Sequence, residues 1–500
     1  MCWRGFFFRV PMKTTQLCAT VTAETMEELC QKRDQQDGAD LVELRLDSPF
    51  DPDVRAALRG RQVPVLVTCR PKWEGGEFGG SEEERRRILL EAVDEGAEYV
   101  DVEHNASFLT DVLERRQGRG VVVSYHAFAA GHHDVYDRYR AMRATGAEVV
   151  KIAVAVDSLS AGAELMRIGD KNDRRVMIGM GPAGVPTRIL AGRYGMCWTY
   201  AGEGVAPGQV SLEGMRDQFR VRRVTENTMV YGVLGSPVRH SVSPVMHNAG
   251  FDALGLDAVY LPLEASDIDD FSAFVRLIGL RGASVTAPFK ENIASCVSEM
   301  DETAEAVGAV NTVLCDGDQW VGRNTDVTGF LAPLIGRMSL AGKRAIVIGA
   351  GGAARGVAWG LVQQGAKVRV CARRLERAEA VSRSVGAEAG EMPPAADSWD
   401  LLVNTTPVGT FPNSDESPLP DGVFGKGVVY DLIYNPRTTR LLAQASEAGC
   451  DTIGGLEMLV AQAQEQFAWW TGVQPAEGVF EEAAQLELMR QDEVEEDRRD

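Results

Sequence analysis

Eight short apolar runs rich in β-branched residues begin at residues 17, 41, 64, 99, 121, 149, 176 and 197. They read LCATVT, LVELRLD, PVLVTCR, YVDVE, VVVSYH, VVKIAV, VMIGM and CWTYAG. Each interval is long enough for one helix and a crossover, which parallel pairing of successive strands requires. Helical spacing fills several of the intervals; SEEERRRILLEAVDEG has Ser81 as a cap and Gly96 as a stop. Eight strand-helix units in about 200 residues predict an α/β fold, a closed (β/α)8 barrel at the compact end of its size range. An open doubly wound sheet has similar spacing, and the polar residues separate the two. Glu43, Arg45, Arg70, Glu103, His126 and Lys151 sit toward the C-terminal ends of successive runs. In a barrel those ends form one face.

Composition narrows the class. A chain of 500 residues predicts about three domains. Lys+Arg 52 against Asp+Glu 72 gives a formal charge of -20, the wrong sign for binding a phosphate backbone or an anionic lipid surface. Nine scattered cysteines with no Cys-x-x-Cys pair predict reduced thiols and no metal site. The start, MCWRGFFFRVPMKT, is interrupted by Arg9 and Pro11 and reads as an extension over residues 1–12, not a signal peptide. No apolar run reaches the roughly 18 residues of a membrane span. The expectation is a cytoplasmic enzyme with no nucleic-acid or membrane partner; homodimer formation stays open.

The pattern changes near Arg222–Thr228, placing a barrel at 13–222 and a linker at 223–229. A second series of runs begins at Tyr231, Val259, Ala283, Ala309, Arg344, Lys367, Asp400 and Val428, alternating with helices such as ARGVAWGLVQQ, which Gly365 ends. Parallel α/β architecture is expected again. The final residues, 485–500, form a charge-dense tail.

Lys151 lies in the middle of an apolar strand. Burial there, together with Arg45, Arg70 or Arg188 nearby, is expected to lower its pKa and free the amine for imine formation. The competing reading is a lysine that snorkels to the strand end or pairs with a carboxylate. His126 ends the preceding strand, beside Lys151 in a barrel, with Glu103 one strand further to orient the imidazole. Carboxylate, histidine and amine on adjacent strand ends can carry protons to and from an imine.

The segments ELRLD, TCRPKWEGGEF, VSYHAF, VKIAV, PTRILAGRYG and APGQVS resemble type I 3-dehydroquinate dehydratase over about Thr14 to Val221. The resemblance implies that Lys151 forms a Schiff base with the 3-keto group of 3-dehydroquinate. It makes His126 the general acid/base, with Glu103 or Glu74 as partner. Glu43, Arg45 and Arg70 would bind ring hydroxyls, and Arg188 and Gln209 the carboxylate. Val205 stands where the family usually has a serine, which removes one carboxylate contact.

GAGGAARG, from Gly349, follows an apolar strand and opens a helix. In that context Gly349, Gly351, Gly352 and Ala353 form a dinucleotide-binding turn, with a third small residue at Ala354. The next strand ends in Arg373, Arg374 and Arg377 instead of an acidic residue, which favours NADP over NAD. GSPVRHSVSPVMHN, VTAPFK, GAVNT, NTD and GGLEMLVAQA together resemble shikimate dehydrogenase over about Val230 to Phe480. The resemblance implies that Ser241 and Ser243 bind the substrate carboxylate and that Thr286, Asn311, Asp326 and Gln462 contact ring hydroxyls. Lys290 and Asp326 would be the catalytic pair, while Tyr434, Thr405 and Thr406 line the substrate and cofactor cleft. It also implies a substrate-binding domain at 230–335, a Rossmann NADP-binding domain at 336–454, and helices at 455–484 returning to the substrate-binding domain.

The two resemblances imply a bifunctional shikimate-pathway enzyme that dehydrates 3-dehydroquinate and then reduces 3-dehydroshikimate with NADPH. NAD-linked quinate oxidation is the rival within enzymes. A ligand-sensing regulator built on decayed domains is the rival outside them, and the presence of Lys151, His126, Lys290 and Asp326 argues against it.

Overall fold

A computed structural model describes residues 14–497, apart from 50, 130, 132–133, 203–207, 397 and 421. The N-terminal extension, Val205 and the last three residues of the charged tail therefore lie outside the described residues.

Strands β1 (Gln16–Val21), β2 (Leu41–Arg45), β3 (Val65–Thr68), β4 (Tyr99–Glu103), β5 (Val121–Ala127), β6 (Val149–Ala155), β7 (Arg175–Met180) and β8 (Trp198–Ala201) form one eight-stranded sheet. Neighbours are consecutive and parallel, and β1 lies beside β8. A bond from the Cys197 N–H to the Arg175 carbonyl, 3.0 Å, links the approach to β8 with β7 and completes the ring. Each strand starts within one residue of a run read from the sequence. The helix Glu82–Asp94 carries a capping box between Ser81 and Glu84, and Gly96 at φ +81 follows its end.

Strand alternation explains where the barrel's polar layer sits. Cys18, Leu41, Leu66, Val122, Val149, Val176 and Trp198 pack together in the buried barrel core. Two residues further along a strand, a side chain returns to the same face. Leu41 is thus followed by Glu43, Val122 by Ser124 and Val149 by Lys151. Each large apolar side chain of the core contributes about 1.5–3 kcal/mol, and this floor offsets the cost of the charges above it.

A second sheet has six strands: β9 (Met229–Gly235), β10 (Ala258–Glu264), β11 (Gly282–Val285), β12 (Glu299–Met300), β13 (Thr312–Asp316) and β14 (Gln319–Arg323). Their order is β10-β9-β11-β13-β14-β12. Here the expectation of an all-parallel arrangement is corrected: β13 runs antiparallel to β11 and to β14. The cause is local. Asp316-Gly317-Asp318 turns tightly, with Gly317 at φ +59, leaving no room for a crossover helix.

The third sheet contains β15 (Arg344–Ile348), β16 (Lys367–Cys371), β17 (Glu388–Gly390), β18 (Leu401–Asn404), β19 (Val428–Asp431) and β20 (Asp451–Ile453). It is parallel in the order β17-β16-β15-β18-β19-β20, so strand order reverses beside β15, where a doubly wound sheet binds ligands. A helix over Val479–Asp497 runs through most of the segment read as a charged tail.

The chain divides into two compact units. One contains residues up to 231 with 236–239 and 257–280; the other contains 232–235, 240–256 and everything from 281 onward. Within the first, Asp270 on the helix Ile268–Ile278 accepts the N–H groups of Leu159 and Ser160 at 3.0 and 2.8 Å, capping the helix Leu159–Met166. No helix among the described residues is long and apolar enough to cross a membrane. Cys18, Cys30, Cys69, Cys296, Cys315, Cys371 and Cys450 are free thiols.

Candidate active sites

The barrel site centres on Lys151, whose side chain is 5% exposed. Its Nζ lies 3.1 Å from Glu43 Oε1, 3.0 Å from Asp101 Oδ2 and 4.4 Å from the centroid of the Tyr200 ring. Two carboxylates and an aromatic face surround it, which is the carboxylate pairing of the competing sequence reading, and Arg70 is the arginine that reaches this layer, through Asp101. The partners titrate accordingly. Although burial pushes Asp101 up, Lys151 and Arg70 hold it at about 2. Glu43 is also lowered, with Lys151 and Arg45 outweighing burial.

Arg70 ties this layer together. Its guanidinium lies 3.1 Å from Asp101, 3.6 Å from Glu103 and 3.7 Å from Glu74, and it also touches His126 Nδ1. Ser124 donates to Asp101, completing that carboxylate's set of partners.

His126 is not level with Lys151. The register pairs Lys151 with Ser124 and His126 with Ala153, so the imidazole sits one inward-facing layer closer to the mouth. Its partner is Glu74, whose Oε2 is 3.1 Å from both Nδ1 and the backbone N–H of His126. Glu103, the strand residue expected to orient the ring, is taken by the buried Arg85. Glu74 reaches the site because its loop folds back. Phe78 donates to the Arg70 carbonyl at 3.1 Å, and a Cβ on Gly76 would meet that same carbonyl oxygen at 2.1 Å, so only glycine fits. Burial pushes His126 well below the usual histidine range, with Arg70, Lys151 and Arg45 adding to the effect. Burial also raises Glu74 to about 8, beyond what Arg70 offsets. A neutral imidazole thus stands beside a carboxyl that keeps its proton at neutral pH.

Arg45 is committed to Asp47 through contacts of 2.6 and 2.8 Å. Arg188 is different: fully buried after β7, it has no ion-pair partner among the described residues, and its Nε is unbonded. Burial lowers it to about 10. A desolvated guanidinium without a counter-ion is suited to an incoming anion. The Gln209 amide lies against Gly202, where a Cβ would meet Oε1 at 3.2 Å. Asp101, Ser124 and Tyr200 were missed from sequence, although Asp101 shares its strand face with Glu103, and Ser124 with His126.

The second site is built around Lys290, whose Nζ is 2.6 Å from Asp326 Oδ2. Asp326 begins the helix Asp326–Leu331. Asn311, just before β13, donates to Asp326 Oδ1 at 2.9 Å and to Gln462 Oε1 at 3.1 Å. Ser243 opens the helix Ser243–Ala253, and its N–H donates to Ser241 Oγ at 3.3 Å. Thr286 follows β11, and its N–H bonds the Leu234 carbonyl at 2.8 Å. Tyr434 follows β19, and burial raises its phenol. These placements bring Lys290, Asp326, Asn311 and Gln462 into one bonded cluster.

The dinucleotide turn fits its ligand. Gly349 has φ +119, and a Cβ there would meet Thr405 Oγ1 at 2.4 Å. Nothing lies within 4 Å of the Cβ positions of Gly351 and Gly352, and no side chain caps the helix Gly352–Gln363. The free N–H groups of this first turn, which begins at Gly352 and Ala353, are open to a phosphate. Arg373, Arg374 and Arg377 are exposed after β16 and form no ion pair among the described residues. The hydroxyls of Thr405 and Thr406 are spent internally, on the Ile348 carbonyl at 2.7 Å and the Asn404 side chain at 2.8 Å. Their backbone N–H groups are bonded internally too, to the Ile348 carbonyl at 2.9 Å and Asn404 Oδ1 at 3.0 Å, so both residues shape the turn.

A lyase working through a lysine amine and a nicotinamide-linked dehydrogenase are the two enzyme classes that these halves define. The type I 3-dehydroquinase family model matches residues 17–226. Models of the shikimate dehydrogenase substrate binding domain and the shikimate 5'-dehydrogenase C-terminal domain match 233–313 and 455–485. The Arabidopsis thaliana protein named bifunctional 3-dehydroquinate dehydratase/shikimate dehydrogenase, chloroplastic, is 34% identical over 495 residues, covering 91% of this chain and 82% of that one. Shikimate dehydrogenase (NADP(+)) of Carboxydothermus hydrogenoformans is 37% identical over 277 residues, 53% of this chain and 99% of its own. A crystal structure of a shikimate dehydrogenase in complex with NADP+ superposes with a TM-score of 0.50 at 34% identity, covering 53% of this chain and 96% of that one. The chain belongs to the bifunctional 3-dehydroquinate dehydratase/shikimate dehydrogenase family.

Proposed function

We propose that the barrel dehydrates 3-dehydroquinate through an imine on Lys151 and that the C-terminal half reduces the resulting 3-dehydroshikimate to shikimate. The observation that carries this reading is the presence in one chain of two separate lysine-carboxylate sites, one sealed inside a barrel and one beside an open dinucleotide turn.

In the barrel, Arg188 takes the substrate carboxylate with Gln209, and Glu43, Arg45 and Arg70 take ring hydroxyls. As Glu43 turns to the substrate, one of the two carboxylate contacts on Lys151 is released, and the amine attacks the ketone. Water leaves to give the iminium, which draws electrons from the neighbouring carbon. Neutral His126 removes a proton there, then returns it to the departing hydroxyl, so that a second water is released. Hydrolysis of the imine restores Lys151. Glu74 holds the imidazole in place.

NADP is the cofactor, and NADPH supplies hydride when bound. Gly349, Gly351, Gly352 and Ala353 would hold its pyrophosphate, Arg373, Arg374 and Arg377 its 2′-phosphate, with Thr405 and Thr406 shaping the turn. Ser241 and Ser243 bind the substrate carboxylate, while Thr286, Asn311, Tyr434 and Gln462 position the ring. Lys290, with Asp326, delivers a proton to the carbonyl oxygen as negative charge develops there. The unpaired arginines favour NADP-linked reduction over NAD-linked quinate oxidation.

The reading includes a barrel at 13–222, a substrate-binding domain at 230–335, a NADP-binding domain at 336–454 and returning helices at 455–484. It also takes the enzyme as cytoplasmic, although the Arabidopsis relative is named chloroplastic, with homodimer formation open and no nucleic-acid or membrane partner. The test is a coupled assay. Purified chain supplied with 3-dehydroquinate and NADPH should consume NADPH and accumulate shikimate, and failure of either step rejects the corresponding half.

A further inference from the structure

Behind the proposed reduction site lies a layer of buried polar groups with no role so far. Asn311 Oδ1 accepts the Thr312 hydroxyl and the Thr325 backbone N–H, both at 2.8 Å. Its Nδ2 faces Asp326 Oδ1 at 2.9 Å, Thr325 Oγ1 at 3.0 Å and Gln462 Oε1 at 3.1 Å. Gln466, one turn beyond Gln462 on the helix Gly455–Thr471, donates from Nε2 to Thr312 Oγ1 at 2.9 Å and to Thr325 Oγ1 at 3.3 Å. Asn311, Thr312, Thr325 and Gln466 are all buried.

The direction of these bonds matters more than their number. A side-chain amide can sit either way round with almost no change of shape, so its neighbours must choose. Each threonine hydroxyl has one hydrogen. With Gln466 donating to both threonine oxygens, their hydrogens remain available to Asn311 Oδ1. Together with the Thr325 backbone N–H, this holds Asn311 in one orientation, oxygen toward the Thr312 hydroxyl and that N–H, nitrogen toward Asp326 and Thr325 Oγ1. Reversed, its carbonyl oxygen would oppose the Asp326 carboxylate. The same choice fixes Gln462: its Oε1 is occupied by Asn311, and its Nε2, which has no partner among the described residues, is the end left for a ligand.

We propose that Gln466 is a positioning residue for the reduction, setting through Thr312, Thr325 and Asn311 how Asp326 and Gln462 present themselves to substrate. This rests on reading Lys290 and Asp326 as the reacting pair. A buried polar network of this kind is sensitive to one reversed member because no water is present to repair it.

Gln466→Glu and Gln466→Leu test the idea in the full chain. Protonated glutamic acid can still donate; the carboxylate can only accept, which turns the threonine hydrogens away from Asn311. For shikimate oxidation with NADP, the kcat of Gln466→Glu relative to the unmodified chain should fall as pH rises, by about tenfold or more between its limits. Gln466→Leu should show a loss whose ratio does not vary with pH. Dehydration of 3-dehydroquinate by the same preparations should be unchanged and reports an intact barrel. Thr312→Val provides a second variant, with a lowered kcat expected. A flat ratio for Gln466→Glu, or an unchanged kcat in Thr312→Val, overturns the proposal. Absence of shikimate oxidation in the unmodified chain rejects the underlying reading itself.

Discussion

Lys151 and Lys290 each face an aspartate, yet their surroundings assign them opposite work. The Lys151 side chain is 5% exposed, with two carboxylates, an aromatic face and a bridging arginine around it. Lys290 is 34% exposed and Asp326 23%, and Asp326 is the one carboxylate paired with that lysine among the described residues. A covalent nucleophile benefits from a fixed, water-free setting whose charges compensate one another, because an unpaired buried charge is costly. A proton donor must be recharged from solvent, so an exposed ammonium suits that role. The difference lies in burial and in the number of partners, not in residue type.

The largest effects should come from exchanging these roles. Lys151→Ala should abolish dehydration and leave shikimate oxidation intact; Lys290→Ala should leave dehydration intact and lower oxidation by about 10²–10³-fold. Loss of both activities from either substitution would break the comparison. His126→Ala should lower dehydration by about 10²–10⁴-fold while the imine still forms, seen as a slowed kcat with continued adduct formation.

A smaller effect concerns pH. Glu74, raised by burial, ionises as pH rises through about 8, whereas His126 is already neutral there. The dehydratase profile should therefore show an alkaline transition near pH 8. Glu74→Gln should remove that transition while preserving the acid-side loss, which reflects protonation of His126. The smallest effect should be structural: Asp270→Ala removes the cap from Leu159 and Ser160 and should cost about 1 kcal/mol in thermal or denaturant unfolding of the first unit, with little change in either rate.

Much of this contrast was legible in the sequence because strand alternation and glycine turns are local. The barrel strands, the capping box at Ser81 and the turn at Gly349 follow from neighbours a few residues apart. The antiparallel β13–β14 pair was missed because the Asp316-Gly317-Asp318 turn and the short strand Gln319–Arg323 fall between the runs at Ala309 and Arg344 from which the series was built. Strand position alone pointed to Glu103, and Glu74 entered only through the resemblance, because a strand residue has a definite direction whereas Glu74 arrives through a loop folding onto the Arg70 carbonyl. Asp101 was visible in principle, since YVDVE places it on the same face as Glu103. The relay through Gln466 was not visible, because it joins segments more than a hundred residues apart, and hydrogen-bond direction leaves no periodic trace.

The most direct measurement is borohydride reduction of the chain mixed with 3-dehydroquinate, followed by peptide mass spectrometry. A stable adduct on the peptide bearing Lys151, absent from Lys151→Ala and unaffected by Lys290→Ala, is the result predicted. A turning-over enzyme with no adduct there, or one carrying it on Lys290, would contradict the division of labour between the two lysines.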